Sequence, residues 1–217
     1  MSAPHSSCLS SLKAVGSRAS RVSISTWLGR FCGNPVARAK VRIGSPEQLA
    51  AQILERFASR LPIDVEAVAK GLGCSVEFEN MEPEVSGLLI RDRGTVLIAV
   101  NDKDAPVRKR FTIAHEIAHL LMHPGRKLLV DADVKINRRT PTAGFATERE
   151  ETQANQFAAA LLMPDHEVKA LLAKRQKRRA CRGSINKGAI KALATAFDVS
   201  ESAMQYRLIN LGLQLPH

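Results

Sequence analysis

The sequence predicts an α+β domain, and three stretches carry that expectation. "VSGLLIRDRGTVLIAV" sets two apolar runs of strand length around a polar turn at Arg91–Gly94, the pattern of a β-hairpin. "FTIAHEIAHLLMH" and "TEREETQANQFAAALLMP" repeat apolar residues at helical spacing and run too long for strands. Strands therefore come first, with the longer helices behind them.

Taken in order, residues 1–43 stand apart. They hold nine serines, seven Lys or Arg and no acid, and so supply +7 of the formal +11. With so little apolar area to offset ordering entropy, they are expected to be a disordered basic extension or the product of a start codon assigned too far upstream. An organelle-targeting segment has a similar composition. Order is expected from Ser45, where "SPEQLAAQILERFASR" offers an N-cap, a proline at the first helical position and a helical apolar face. Pro62 is expected to open a short helix, "PIDVEAVAKGLG", closed by Gly71 and Gly73. "CSVEFE" alternates as a strand does, and the hairpin follows it. The histidine-bearing helix stops at Pro124–Gly125, and residues 125–146 read as a long connection. Thr147 caps the next helix, acids fill its first turn and Pro164 follows its end. "DHEVKALLAKR" continues as a helix into the basic cluster Lys174–Arg182, and Ile185–Leu213 reads as two short helices around "FDVSES".

Composition removes some classes of protein. No run approaches 18 apolar residues, so a membrane-spanning helix is not expected. Cys8, Cys32, Cys74 and Cys181 are scattered without a C-x-x-C pair, which argues against a disulfide framework and a thiolate zinc site. A reducing, cytoplasmic setting is the expectation.

The chemistry lies in His115-Glu116-Ile117-Ala118-His119, an H-E-x-x-H pattern. At 3.6 residues per turn, side chains four apart share a helical face, so two imidazoles there can bind one Zn²⁺ and leave room for a further ligand and a water. Glu116 sits beside the first imidazole, where it can take a proton from a water that zinc has acidified. The competing view is a core helix that happens to carry histidines. Phe111, Ile113, Ile117 and Leu120 do mark a buried helix, which raises the cost of placing two imidazoles and a carboxylate there without a partner. A metal meets that cost. His123 is set aside as a ligand, because eight residues at 1.5 Å carry it about 12 Å along the axis from His115. It is expected to be a polar helix-end residue, or at best a substrate contact. The missing ligand is sought among Glu148, Glu150 and Glu151. Glu151 is preferred because Asn155, four residues on, can accept the spare N–H of a ligating histidine. Glu148 and Glu150 are read as acids that favour a helix N-terminus.

"RFTIAHEIAHLLMH" and "EETQANQFAAALLMP" together resemble the ImmA/IrrE family of zinc metallopeptidases, with weaker support between Ser45 and Leu213. The resemblance implies a gluzincin-like, zincin-type fold: a small twisted, mostly antiparallel sheet packed on the active-site helix, with further helices C-terminal. It implies His115, His119 and Glu151 as metal ligands, Glu116 as catalytic base and Zn²⁺ as cofactor. The substrate it implies is a separate protein, a helix-turn-helix transcriptional repressor. The expected division is 1–43 extension, 44–173 peptidase domain, and 174–217 basic linker with a helical tail packing on or following that domain. "VLIAVN" is the expected edge strand for pairing with an extended substrate. Tyr206 is expected to pack, and His166 to be solvated.

Two other readings compete. Lys174, Arg175, Lys177, Arg178, Arg179 and Arg182 before a helical pair could contact DNA phosphates, although a solvated basic linker explains them as well. A metal-dependent protein that binds a regulator without cutting it is the second alternative.

Overall fold

The computed structural model describes residues 44–57, 60–92, 94–123, 128–132, 146–179 and 185–213. The expectations for residues 1–43 lie outside the described residues.

Helix α1 spans Pro46–Phe57. Ser45 Oγ accepts from the Gln48 N–H at 3.3 Å, and Gln48 Oε1 accepts from the Ser45 N–H at 3.1 Å, a reciprocal cap that starts the helix. Leu49, Ala50 and Ile53 form its buried face. Helix α2, Val65–Gly71, begins later than the Pro62 start expected. Asp64 is its cap, accepting from the Ala67 N–H at 2.9 Å, so Pro62 precedes the helix.

Strands β1 (Cys74–Glu79), β2 (Val85–Asp92), β3 (Thr95–Asn101) and β4 (Leu128–Ala132) form one mixed sheet in the order β1-β3-β2-β4. The hairpin β2–β3 closes with Asp92 opposite Thr95, and Gly94 takes φ +89° in the turn, a conformation that suits glycine. β1 runs parallel to β3, while β4 is antiparallel to β2. Two expectations are corrected here. β3 holds "VLIAVN" but is interior, flanked by β1 and β2, so its backbone groups are already committed to neighbours. The connection after the histidine helix contains a strand, β4, which becomes an edge of the sheet.

Helix α3 (Pro106–Met122) lies on β2 and β3. Helix α4 (Glu148–Leu162) packs against both α3 and α1. Its start is a complete capping box: Glu150 N–H donates to Thr147 Oγ1, and Thr147 N–H donates to Glu150 Oε2 at 2.7 Å. Helices α5 (Asp165–Arg179), α6 (Lys187–Phe197) and α7 (Glu201–Asn210) follow. Leu193, Phe197, Met204 and Leu208 of the last two are buried in the same core as Phe157 and Leu161 of α4. Polar stitches join these parts as well. The buried Arg207 of α7 donates Nε–H to the Met163 carbonyl at the end of α4, at 2.9 Å. Arg110 of α3 donates to the Asp198 carbonyl at 3.2 Å and pairs with the Asp198 carboxylate.

Of the basic cluster, Lys174 and Arg175 have described side chains; those of Lys177, Arg178, Arg179 and Arg182 lie outside the described residues. Among the described residues no helix is long and apolar enough to cross a membrane.

Candidate metal centre

Helix α3 is buried along the face that carries the motif: His115 and His119 are each 2 % exposed and Glu116 is fully buried. Helical spacing brings His115 Nε2 and His119 Nε2 to 2.9 Å of each other. Helix α4 crosses α3 and supplies Glu151, whose Oε2 lies 3.2 Å from His115 Nε2 and whose Oε1 lies 3.5 Å from His119 Nε2. One donor atom from each of these three residues falls within 4.8 Å of the others. Glu148 and Glu150 are not in this group, and Glu150 is occupied by the capping box.

The outer ring nitrogens have partners that fix which inner nitrogen is bare. Asn155 Oδ1, 3.0 Å from His115 Nδ1, can only accept, so that nitrogen carries the proton and His115 Nε2 presents a lone pair. Gln153 Oε1, 3.1 Å from His123 Nε2, likewise calls for a proton on that nitrogen. His123 Nδ1 is then an acceptor, 3.0 Å from His119 Nδ1, and His119 too presents a bare Nε2. Two imidazole lone pairs and a carboxylate thus converge on one point. Such a set repels itself unless a cation is shared, and two nitrogens with a carboxylate oxygen are donors that suit zinc.

Electrostatics set the charges of His119 and Glu151. Burial pushes the His119 imidazolium below its ordinary pKa, against the opposing pull of Glu151. Burial acts to raise the Glu151 carboxyl, but its contacts with the His115 and His119 imidazoles outweigh that and hold it at about 2. Glu151 is therefore an anion beside a neutral His119 at neutral pH.

Glu116 faces the sheet. A Cβ on Gly87 of β2 would lie 3.1 Å from Glu116 Oε1 and 2.5 Å from Thr112 Cγ2, so glycine is what lets the strand and this carboxylate approach. Arg91, also on β2, is an electrostatic partner of Glu116. Its guanidinium donates to the carbonyls of His119 at 2.7 Å and His123 at 3.3 Å, and so closes the C-terminal end of α3.

Sequence reasoning missed four of these residues. Gly87, Arg91 and Gln153 reach the centre from other elements and carry no local signal. His123 did carry one, because it stands four residues after His119, the same spacing that pairs His115 with His119. The 12 Å estimate measured it from His115 alone. Tyr206 is 70 % exposed and does not pack as expected, while His166 is also exposed. Both border a cleft of about 1440 Å³ lined by residues of α1, α3, α4, α5 and α7, Phe111, Thr152 and Asn155 among them. None of the four motif-and-ligand side chains lines that cleft.

A peptidase family model described as the IrrE N-terminal-like domain matches residues 69–209, a span that contains the sheet, both site helices and most of α7. No curated protein matches the chain.

Proposed function

The chain belongs to the IrrE N-terminal-like peptidase family and has its α+β, zincin-like fold, and from that premise we propose that it is a zinc-dependent endopeptidase acting on a regulatory protein. Membership makes it a metallopeptidase of the ImmA/IrrE type. The observation that carries the finer reading is the convergence of His115 Nε2, His119 Nε2 and the Glu151 carboxylate beside a fully buried Glu116.

In this reading His115, His119 and Glu151 hold the ion, and Asn155 orients the His115 ring. Zinc bound there would supply Lewis acidity to a water molecule and to the scissile carbonyl. Glu116 acts as general base: its carboxylate takes a proton from the attacking water and delivers it to the amine that leaves when the C–N bond breaks. Burial of Glu116 and of both imidazoles keeps bulk solvent from that proton path. β4, the edge strand beside β2, is the place for an extended substrate segment to pair, in the role expected of β3.

The proposed substrate is a helix-turn-helix repressor, supported by the likeness of the two helix motifs to ImmA/IrrE peptidases. The proposed location is the reducing cytoplasm, in keeping with Cys74 as a buried free thiol. The proposed divisions remain a basic extension over 1–43, a peptidase body over 44–173 and a C-terminal portion over 174–217.

The test is Glu116→Gln, assayed with zinc and a helix-turn-helix repressor encoded beside the chain's own gene. The variant is expected to keep stoichiometric zinc and to lose cleavage by at least about 100-fold, the scale of a general base. Undiminished cleavage would sink the mechanism. Full relief of repression by the uncleaving variant would favour a binding role instead.

A further inference from the structure

The structure gives His123 a partner on each side: His119 Nδ1 at 3.0 Å and Gln153 Oε1 at 3.1 Å. It closes α3 as the C-cap residue, at φ −121° and ψ 65°, where the backbone has left the helix. Its own N–H still donates to the His119 carbonyl at 3.2 Å. Arg91 of β2 holds the same two residues by their carbonyls, at 2.7 and 3.3 Å. The residue is thus held by β2 through its backbone carbonyl, and by α3 and α4 through its ring.

The two zinc-facing imidazoles are supported differently. His115 is held directly by an amide of α4, through Asn155. Among the described residues, the partner of His119 Nδ1 is the His123 ring, and the amide of Gln153 stands on the far side of that ring. From these contacts we infer that His123 and Gln153 form a relay that sets the tautomer and orientation of His119, so that its Nε2 lone pair faces the metal position. His123 is therefore a positioning residue for metal capture, acting through His119. Gln153 Oε1 draws the His123 proton to Nε2, which leaves His123 Nδ1 to accept from His119 Nδ1–H. The relay also ties the end of α3 to α4, the helix that brings Glu151.

The inference rests on the metal-centre reading, and two measurements separate their failures. The first is zinc affinity of the full chain, by competition with a chromogenic chelator. Removing such an outer partner of a metal ligand typically weakens binding roughly 10- to 100-fold. His123→Leu is expected to show a loss of that size, and His123→Gln, whose side-chain carbonyl can still accept from His119 Nδ1–H, to recover most of it. The second is the ring-nitrogen NMR of His119 in the metal-free protein. His119 is expected to be protonated at Nδ1 in the wild type and in His123→Gln, and to become a tautomer mixture in His123→Leu. A wild-type chain that takes up no zinc overturns the metal-centre reading, while the metal-free tautomer still decides the relay. The relay is overturned by His119 protonated at Nε2 in the wild type, by unchanged zinc affinity in His123→Leu, or by equal losses in both variants. Should His123→Leu fold poorly, the wild-type tautomer and His123→Gln decide the matter.

Discussion

Gly87 is where strand β2 comes against the carboxylate proposed to move the proton. A methyl group there would meet Thr112 Cγ2 at 2.5 Å and crowd Glu116 Oε1 at 3.1 Å. Gly87→Ala should therefore lower stability by about 1–3 kcal/mol, the usual scale of overpacking. It should also shift Glu116 without touching the ligands. The expected outcome is near-normal zinc uptake with impaired cleavage, read from chelator competition and a cleavage assay on the same preparation. Loss of zinc in step with activity would show that the glycine matters to the whole helix instead. This contrast explains what was legible in the residues. His115, Glu116 and His119 could be found because a helix turns local spacing into proximity. Glu151 and Asn155 could be singled out as candidates for the same reason, as a pair four residues apart on one helix. Gly87 and Gln153 had no such signal, since their importance arises only when β2 and α4 are brought to α3.

The elements themselves followed their local signals where those signals were complete. Ser45 with Gln48, and Thr147 with Glu150, both form the reciprocal caps that start α1 and α4. The hairpin closes at Gly94. The sheet was less legible, because strand order depends on pairing between distant segments: β1 enters beside β3 rather than beside β2, and β4 joins from the far side of α3. "LLVDA" is too short to announce a strand without its partner. The end of α3 shows the same dependence. Arg91 of β2 caps that helix by donating to two carbonyls at once. Arg91→Met should remove charge-assisted bonds each worth about 1.5–3 kcal/mol and lower stability by at least that amount in urea denaturation. Arg91→Lys should recover only part of the loss, since an ammonium does not reproduce the planar fork that spans two acceptors. Full stability in Arg91→Met would show that the clasp contributes little.

At the scale of the molecule, the proposed ligands come from two helices separated by a strand and a long connection, and they meet only when α4 has docked on α3. Zinc binding to the folded chain alone should then stabilise the whole fold. At free zinc 100 times the dissociation constant the gain is about 2.7 kcal/mol, and the melting temperature should rise with zinc and fall again with chelator. Glu151→Ala should flatten that response, whatever the melting temperature of its metal-free form. An equal response in that variant would place the stabilising ion elsewhere.

Each of the two ligand-bearing helices also ends under an arginine supplied from outside it, Arg91 for α3 and Arg207 for α4. The second clasp reaches back 44 residues, from α7 to Met163. A ribosome making this chain therefore produces both histidines and Glu151 well before the arginine that secures the helix bearing Glu151. The emerging polypeptide carries the proposed site residues through that interval before α7 can clasp the end of α4. On the proposed function, the last clasp on the metal centre is a residue made near the end of synthesis.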